Sequence, residues 1–308
     1  VTRGAQRLRA AAGIFALGGA LACGGGSGRA ADETGSAGSA ADAANEGGAG
    51  SSTHAAAAGA AVDTPPAGQA ASPRHGEYVM FATAGGDSVR AWVVYPERED
   101  RAPAVIVIHE IFGLTPWIRE VTDRYAAEGF VAIAPDLLSG KGEGGRGTAG
   151  HPDEDAVVAA MRELTPDEVE TRLDGAFRYV AALPAANGRV GTVGFCWGGH
   201  QSFQYAVEQP ELGAAVVFYG SAPDDLARVG EIRAPVLGLY GGDDARVNAG
   251  IPDAEAAMAE AGKRYEKEIF PGAGHGFLRQ DEEGANADAA ARAWPRSVAF
   301  LKAALEAR

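Results

Sequence analysis

After Pro73 the chain alternates short apolar runs with turn residues, and that pattern predicts the elements. Residues 77–82 and 89–95 read as β-rich runs. Residues 104–109, AVIVIH, are continuously apolar, as expected of a strand buried on both faces of a parallel sheet. Thr115-Pro116 offers an N-cap with proline at the first helical position. Ile118, Val121 and Tyr125 follow at helical spacing, and Gly129 closes the helix. Residues 130–134 form the next strand, ended by Pro135. Thr165-Pro166-Asp167-Glu168 is a capping box, with Val169, Leu173, Ala176, Phe177 and Val180 on one helical face behind it. Strand 189–195, helix 198–208, strands 214–219 and 235–240, helix 254–261 and strand 265–270 follow. The last helix carries Val298, Leu301 and Leu305 on one face, and Pro295 is expected to start or kink it rather than sit in its middle. Strands alternating with helices predict an α/β fold: a mostly parallel central sheet with helices on both faces.

Composition divides the chain. Residues 24–74 hold 34 Ala, Gly or Ser in 51 positions and one large aliphatic, Val62. Such a stretch buries too little apolar surface to offset its ordering entropy. The remaining 234 residues suit one domain with a substantial core. All of the net charge of −14 sits on residues 75–308, as 22 basic against 36 acidic side chains. That surface lacks the basic footprint of nucleic-acid binding.

The first residues carry a targeting pattern. Arg3, Arg7 and Arg9 precede thirteen apolar residues, 10–22, and then Cys23. This is the order of a secretory signal, with a run short for a bilayer span. Ala20-Leu21-Ala22-Cys23 resembles a bacterial lipoprotein processing site, although Leu stands one place later than usual. The expected organisation is a signal peptide over 1–22, a flexible tether over 23–74 and a domain over 75–308. The protein is then exported to the periplasm or cell envelope, touching membrane only through a lipidated Cys23; plain cleavage near Ala22 is the alternative. Only Cys23 and Cys196 occur, so a lipidated Cys23 leaves the domain one thiol and no internal disulfide.

The chemistry centres on Val193-Gly194-Phe195-Cys196-Trp197-Gly198-Gly199, between an apolar strand and an amphipathic helix. This is the G-x-nucleophile-x-G pattern of a nucleophile elbow. Residues two before and two after the nucleophile crowd against helix and strand, where a Cβ would clash. The helix N-terminus aims its N–H groups at the thiol and at any oxyanion beside it. An elbow needs an acid and then a base further along. Leu239-Tyr240-Gly241-Gly242-Asp243-Asp244 ends one strand with two carboxylates, and Phe270-Pro271-Gly272-Ala273-Gly274-His275 ends another with an imidazole. Ligand sites of open α/β sheets lie at the carboxyl ends of strands, where all these groups converge. His275 would take the thiol proton and an Asp would fix its tautomer. Residues 139–150, SGKGEGGRGTAG, contain neither GxxxxGK[ST] nor a helix-opening GxGxxG, so they predict a lid edge or surface loop rather than a phosphate cradle. No H-x-x-x-H or C-x-x-C spacing supports a metal, and no metal or organic cofactor is implied.

These segments, with His109-Glu110-Ile111-Phe112-Gly113, Ala134-Pro135-Asp136-Leu137 and Gly274-His275-Gly276-Phe277, resemble the dienelactone hydrolase (carboxymethylenebutenolidase) family of α/β-hydrolases, over roughly residues 79 to 305. The resemblance implies the α/β-hydrolase fold and a triad of Cys196, Asp244 and His275, with the Gly-Gly-x-Asp turn selecting Asp244 over Asp243. It implies an oxyanion hole at the backbone N–H groups of Ile111 and Trp197. Glu110 matches the acidic residue that holds the resting thiol and is displaced by substrate, and Arg279 matches an arginine that grips the substrate carboxylate. The family's second carboxylate-binding Arg, with a Tyr one turn later, should fall near residues 154–158. HPDEDAVVAAMRE has neither in place, and Arg162 stands in a different register. The resemblance therefore carries over the hydrolase chemistry and not the dienelactone substrate.

The resulting expectation is a cysteine hydrolase of small esters or lactones that passes through a thioester acyl-enzyme, its partner a small-molecule substrate and its form monomeric. Two readings compete: a non-enzymatic surface-binding lipoprotein on a hydrolase fold, and an acyl or thioester transferase. Turnover of p-nitrophenyl acetate that Cys196→Ala removes separates the first, and product analysis separates the second.

Overall fold

The computed structural model describes residues 72–279 and 284–306. The expected signal peptide, Cys23 and nearly all of the tether lie outside the described residues. Eight strands form one sheet in the order β1-β2-β4-β3-β5-β6-β7-β8. β1 (Gly76–Ala82) and β2 (Ser88–Val94) make an antiparallel pair, and β2 is also antiparallel to β4 (Val131–Pro135). From β4 onward β3 (Ala102–Ile108), β5 (Ala186–Phe195), β6 (Ala214–Phe218), β7 (Val236–Gly241) and β8 (Tyr265–Phe270) run parallel. The helices are α1 (Pro116–Ala127), α2 (Glu154–Arg162), α3 (Pro166–Ala182), α4 (Trp197–Glu208), the single turn α5 (Ala245–Asn248), α6 (Ile251–Glu260) and α7 (Ala287–Leu305).

The unbroken apolar run of β3 is explained by its two faces. Ala104, Ile106 and Ile108 join a core built with α3, α4 and α6, while Val105 and Val107 join a second core built with α1 and α7. Each strand residue alternates between the layers, so both sets must be apolar. Caps set the helix starts. Thr115 Oγ1 accepts the N–H of Ile118, and Thr165 and Glu168 satisfy each other's backbone donors in a reciprocal box. Gly129 follows α1 at φ 99°, a conformation that suits glycine.

Three segments differ from expectation. Pro295 sits inside α7, which starts eight residues earlier at Ala287 under an Asn286 cap. Proline there forfeits one backbone donor, but Ala289, Ala293 and Trp294 before it and Val298, Leu301 and Leu305 after it are buried on one face. Tertiary packing outweighs the local loss. Residues 154–162, left without an element by the sequence pattern, form α2, capped by Asp153 and burying Val157 and Met161. The Gly-rich stretch after β4 lies mostly at the surface, as expected, but it is more ordered than a plain loop. It folds into two short helical turns, Glu143–Gly145 and Gly147–Gly150, and Gly147 and Gly150 are buried. A polar latch holds it: Asp136, buried at the end of β4, accepts the Thr148 N–H at 2.9 Å and its hydroxyl at 2.8 Å. Thr148 Oγ1 in turn accepts the N–H of Leu114 at 3.0 Å, tying the loop to the turn after β3.

Candidate active site

β5 delivers Cys196 directly into α4. Cys196 adopts φ 55° and ψ −116°, in the left-handed half of backbone space that costs a non-glycine residue about 1–3 kcal/mol. The surroundings enforce it. Its N–H donates to the Phe218 carbonyl at 3.1 Å and its carbonyl accepts the first helical bond, from His200 at 3.2 Å. A Cβ on Gly194 would lie 1.8 Å from the Gly198 carbonyl oxygen, and one on Gly198 would lie 2.3 Å from that of Ile108. Both glycines are therefore required for the close approach of strand, turn and helix. The Trp197 N–H, an orphan donor of the first helical turn, acts on the Cys196 thiol. The N–H of Ile111, in the turn after β3, donates to no backbone carbonyl among the described residues.

The candidate carboxylate and imidazole stand beyond the ends of β7 and β8. The turn after β7 exposes Asp243 and buries Asp244. Asp244 Oδ1 accepts the Val247 N–H at 3.3 Å, capping α5, and its Oδ2 accepts from His275 Nδ1 at 2.5 Å. A carboxylate only accepts, so Nδ1 of His275 carries the proton and Nε2 is the basic nitrogen. Asn248 Nδ2 donates to the Gly241 carbonyl at 2.8 Å and steadies this turn.

Glu110, two residues beyond β3, is buried with Arg279, whose Nη1 lies 3.2 Å from Oε2; the two side chains are 4% and 15% exposed. Arg279 is thus already engaged by the protein's own carboxylate. His109 clamps the backbone beneath them: Nδ1–H donates to the Glu110 carbonyl at 2.7 Å and Nε2 accepts the Leu137 N–H at 3.2 Å. Burial lowers the His109 pKa and keeps the ring in the neutral form that this donor–acceptor pair requires.

Electrostatics hold the thiol protonated at rest. Burial pushes Cys196 up to about 11, with the Glu110 charge the next cause; the Trp197 N–H and Arg246 act in the opposite direction. Replacing Glu110 by Gln removes a like charge and lowers the thiol pKa, although desolvation keeps it above that of a free cysteine. Alkylation of Cys196 by iodoacetamide near pH 7 is therefore expected to run severalfold faster in Glu110→Gln than in wild type. A slower reaction would show that Glu110 assists ionisation instead.

The structure gathers Cys196, Trp197, Glu110, Ile111, Asp244, His275 and Arg279 at the carboxyl ends of β3, β5, β7 and β8 or just beyond them. Arg162 is exposed at the last position of α2, and Cys23 lies outside the described residues. The buried face of α2 supplies a feature that sequence reading missed. Val157 and Met161 pack with Leu138, and Ile111, Leu164 and Trp197 close on this cluster. The side chains of both oxyanion candidates therefore border an apolar patch. Arg246 and the Asp136–Thr148 latch were also missed; single polar residues in turns leave no periodic signal. A groove between α3 and α4, lined by Leu164, Glu170, His200, Gln204, Tyr205 and Glu208, shares only Trp197 with the residues gathered above.

A mostly parallel sheet with this elbow, flanked by helices on both faces, is the α/β-hydrolase fold. The chain belongs to the dienelactone hydrolase family, which it matches over residues 89–305. It is 31% identical over 263 residues to a Saccharolobus solfataricus protein named "Putative carboxymethylenebutenolidase", covering 73% of this chain and 98% of that one. A Salmonella typhimurium protein of the same name is 34% identical over 234 residues, covering 70% and 83%. Among solved structures, a "Putative Dienelactone Hydrolase" from Klebsiella pneumoniae superimposes with a TM-score of 0.67 at 27% identity, covering 74% of this chain and 98% of that one. The family is one of hydrolases acting on small molecules.

Proposed function

We propose that this chain hydrolyses small, uncharged esters or lactones through a thioester on Cys196. His275 Nε2 takes the thiol proton while Asp244 holds the ring by Nδ1. The sulfur attacks the acyl carbon, and the carbonyl oxygen gathers its negative charge against the N–H groups of Ile111 and Trp197. Collapse of that intermediate breaks the ester bond, and the alcohol leaves with the proton held by His275. Water, deprotonated by His275, then attacks the thioester, releasing the acid and returning the thiol. Glu110 restrains the thiol until substrate displaces its carboxylate. The observation that carries this reading is Cys196 in a left-handed conformation at the N-terminus of α4, the geometry of an elbow nucleophile.

The preference for uncharged substrates is supported by two features. The helix where the family's second anion-binding pair would fall presents Val157 and Met161 to an apolar cluster. Arg279 is paired with Glu110 in a buried setting, and a substrate carboxylate must compete for it. Breaking a buried pair is costly, about 3–5 kcal/mol when a partner is simply removed. For ligands of similar size, kcat/KM for a neutral short-chain p-nitrophenyl ester is expected to exceed that for dienelactone by about tenfold or more, about 1.4 kcal/mol. A strong preference for dienelactone, measured side by side on the purified protein, would contradict this assignment.

A further inference from the structure

Tyr219 is a buried polar residue beside the nucleophile that the mechanism leaves unused. β5 and β6 pair in parallel with Phe195 opposite Phe218, so the residues that follow, Cys196 and Tyr219, leave adjacent strands side by side. These are also the two non-glycine residues with positive φ among those described; Tyr219 has φ 41°. Its N–H donates to the Leu239 carbonyl at 2.9 Å, holding the backbone in that conformation. The ring is fully buried, with its centroid 5.2 Å from that of His275 in an edge arrangement and 5.4 Å from that of Phe277.

The hydroxyl has no hydrogen-bond partner among the described residues. Burial is the first cause that holds it protonated, and the Glu110 and Cys196 charges add to it against the opposing Arg279. It is therefore an O–H donor throughout the working pH range. A strained backbone and an unpaired buried hydroxyl both reduce stability. Phenylalanine would fill the same space among Phe195, Phe218 and Phe277 without the second cost. The oxygen is thus poorly explained by packing and is available for a charge that exists only during reaction. Of the two anionic groups near it, the Glu110 carboxylate is already paired with Arg279, whereas the sulfur becomes charged only when its proton leaves.

We propose that the Tyr219 hydroxyl donates a hydrogen bond to the Cys196 thiolate once His275 has taken the thiol proton, holding the sulfur charge until it attacks the acyl carbon. The hydroxyl is buried beside the nucleophile but makes no bond to the resting thiol, so the bond is one that forms with the thiolate charge, where a fixed donor lowers the cost of creating it. It acts alongside the Trp197 N–H of α4. The other groups bearing on the sulfur are Glu110 after β3, Arg246 on α5 and Asp244 after β7, with His275 after β8 as the proton acceptor. The proposal rests on Cys196 being the nucleophile.

The test is Tyr219→Phe in the full chain, which removes one oxygen and keeps the ring. The rate of Cys196 alkylation by iodoacetamide is followed against pH, together with steady-state turnover of p-nitrophenyl acetate and the melting temperature. A hydrogen bond to a charged group is worth about one to two pKa units, so the alkylation midpoint is expected to rise by about that amount. Turnover should fall roughly tenfold to a hundredfold with KM little changed, and the melting temperature should be equal or higher. An unchanged midpoint overturns the proposal. So does a raised KM at an unchanged midpoint, which would place the hydroxyl on the substrate, or a lower melting temperature without a midpoint shift, which would make it structural. Cys196→Ala separates the two layers: if that variant keeps wild-type turnover, the nucleophile reading itself fails. If it is inactive while Tyr219→Phe titrates as wild type does, only the tyrosine assignment falls.

Discussion

Cys196→Ala is expected to lose esterase turnover by on the order of 10⁴-fold or more, because the residual oxyanion donors and the base cannot replace a covalent nucleophile. The variant should remain folded. Alanine keeps the Cβ at the strained position, and the elbow is fixed by Gly194, Gly198 and the backbone bonds around it rather than by the sulfur. Cys196→Ser should fold equally well and turn over weakly, since a hydroxyl needs far stronger general-base assistance than a thiol in this desolvated position. Steady-state assays with p-nitrophenyl acetate, paired with melting curves, check both. An alanine variant with wild-type turnover would leave the fold assignment standing and remove the mechanism.

The second large effect is expected at Asp244. Asp244→Asn should lower kcat by about 10⁴-fold, as amide substitution does in a serine triad, because the amide favours the wrong tautomer of the paired histidine. The substitution is close to isosteric, and an amide oxygen can still accept the Val247 N–H that caps α5, so stability should hold. Asp243→Asn should be mild: that side chain is exposed, and the carboxylate bonded to His275 belongs to its neighbour. Kinetics of the two single variants give the ranking directly. The reverse order would move the acid to Asp243.

Much of this arrangement is legible in the sequence because strong local signals coincide with the site. Strands β3, β6 and β7 and the second half of β5 are short, buried runs ended by turn residues, and α1 and α3 begin at Thr-Pro caps that the structure reproduces. The glycines of the elbow mark a steric requirement that any sequence in this geometry must meet. What escaped notice depends on distant partners. Pro295 lies inside α7 because buried residues on both sides of it hold the helix to the sheet, and no local pattern encodes that compensation. The latch of Asp136 and Thr148 spans twelve positions and turns a polar, glycine-rich stretch into folded structure. α2 had readable signals, with Asp153 as cap, acidic residues in its first turn and Arg162 in its last, but its apolar face is only two residues wide. Arg279 shows the same limit at the site: its charge is evident in sequence, whereas its pairing with Glu110, 169 positions earlier, is tertiary.

A covalent thioester on Cys196 is the step that distinguishes this mechanism from any other. Wild-type protein turning over p-nitrophenyl acetate is quenched in acid within the first turnovers and analysed by intact mass and peptide mapping. An acetyl group on the peptide containing Cys196, lost on further incubation before the quench and missing from Cys196→Ala, is the predicted result. Continued turnover with no acyl group on Cys196 at any quench time, or an acyl group on another residue that is lost at the turnover rate, would contradict it.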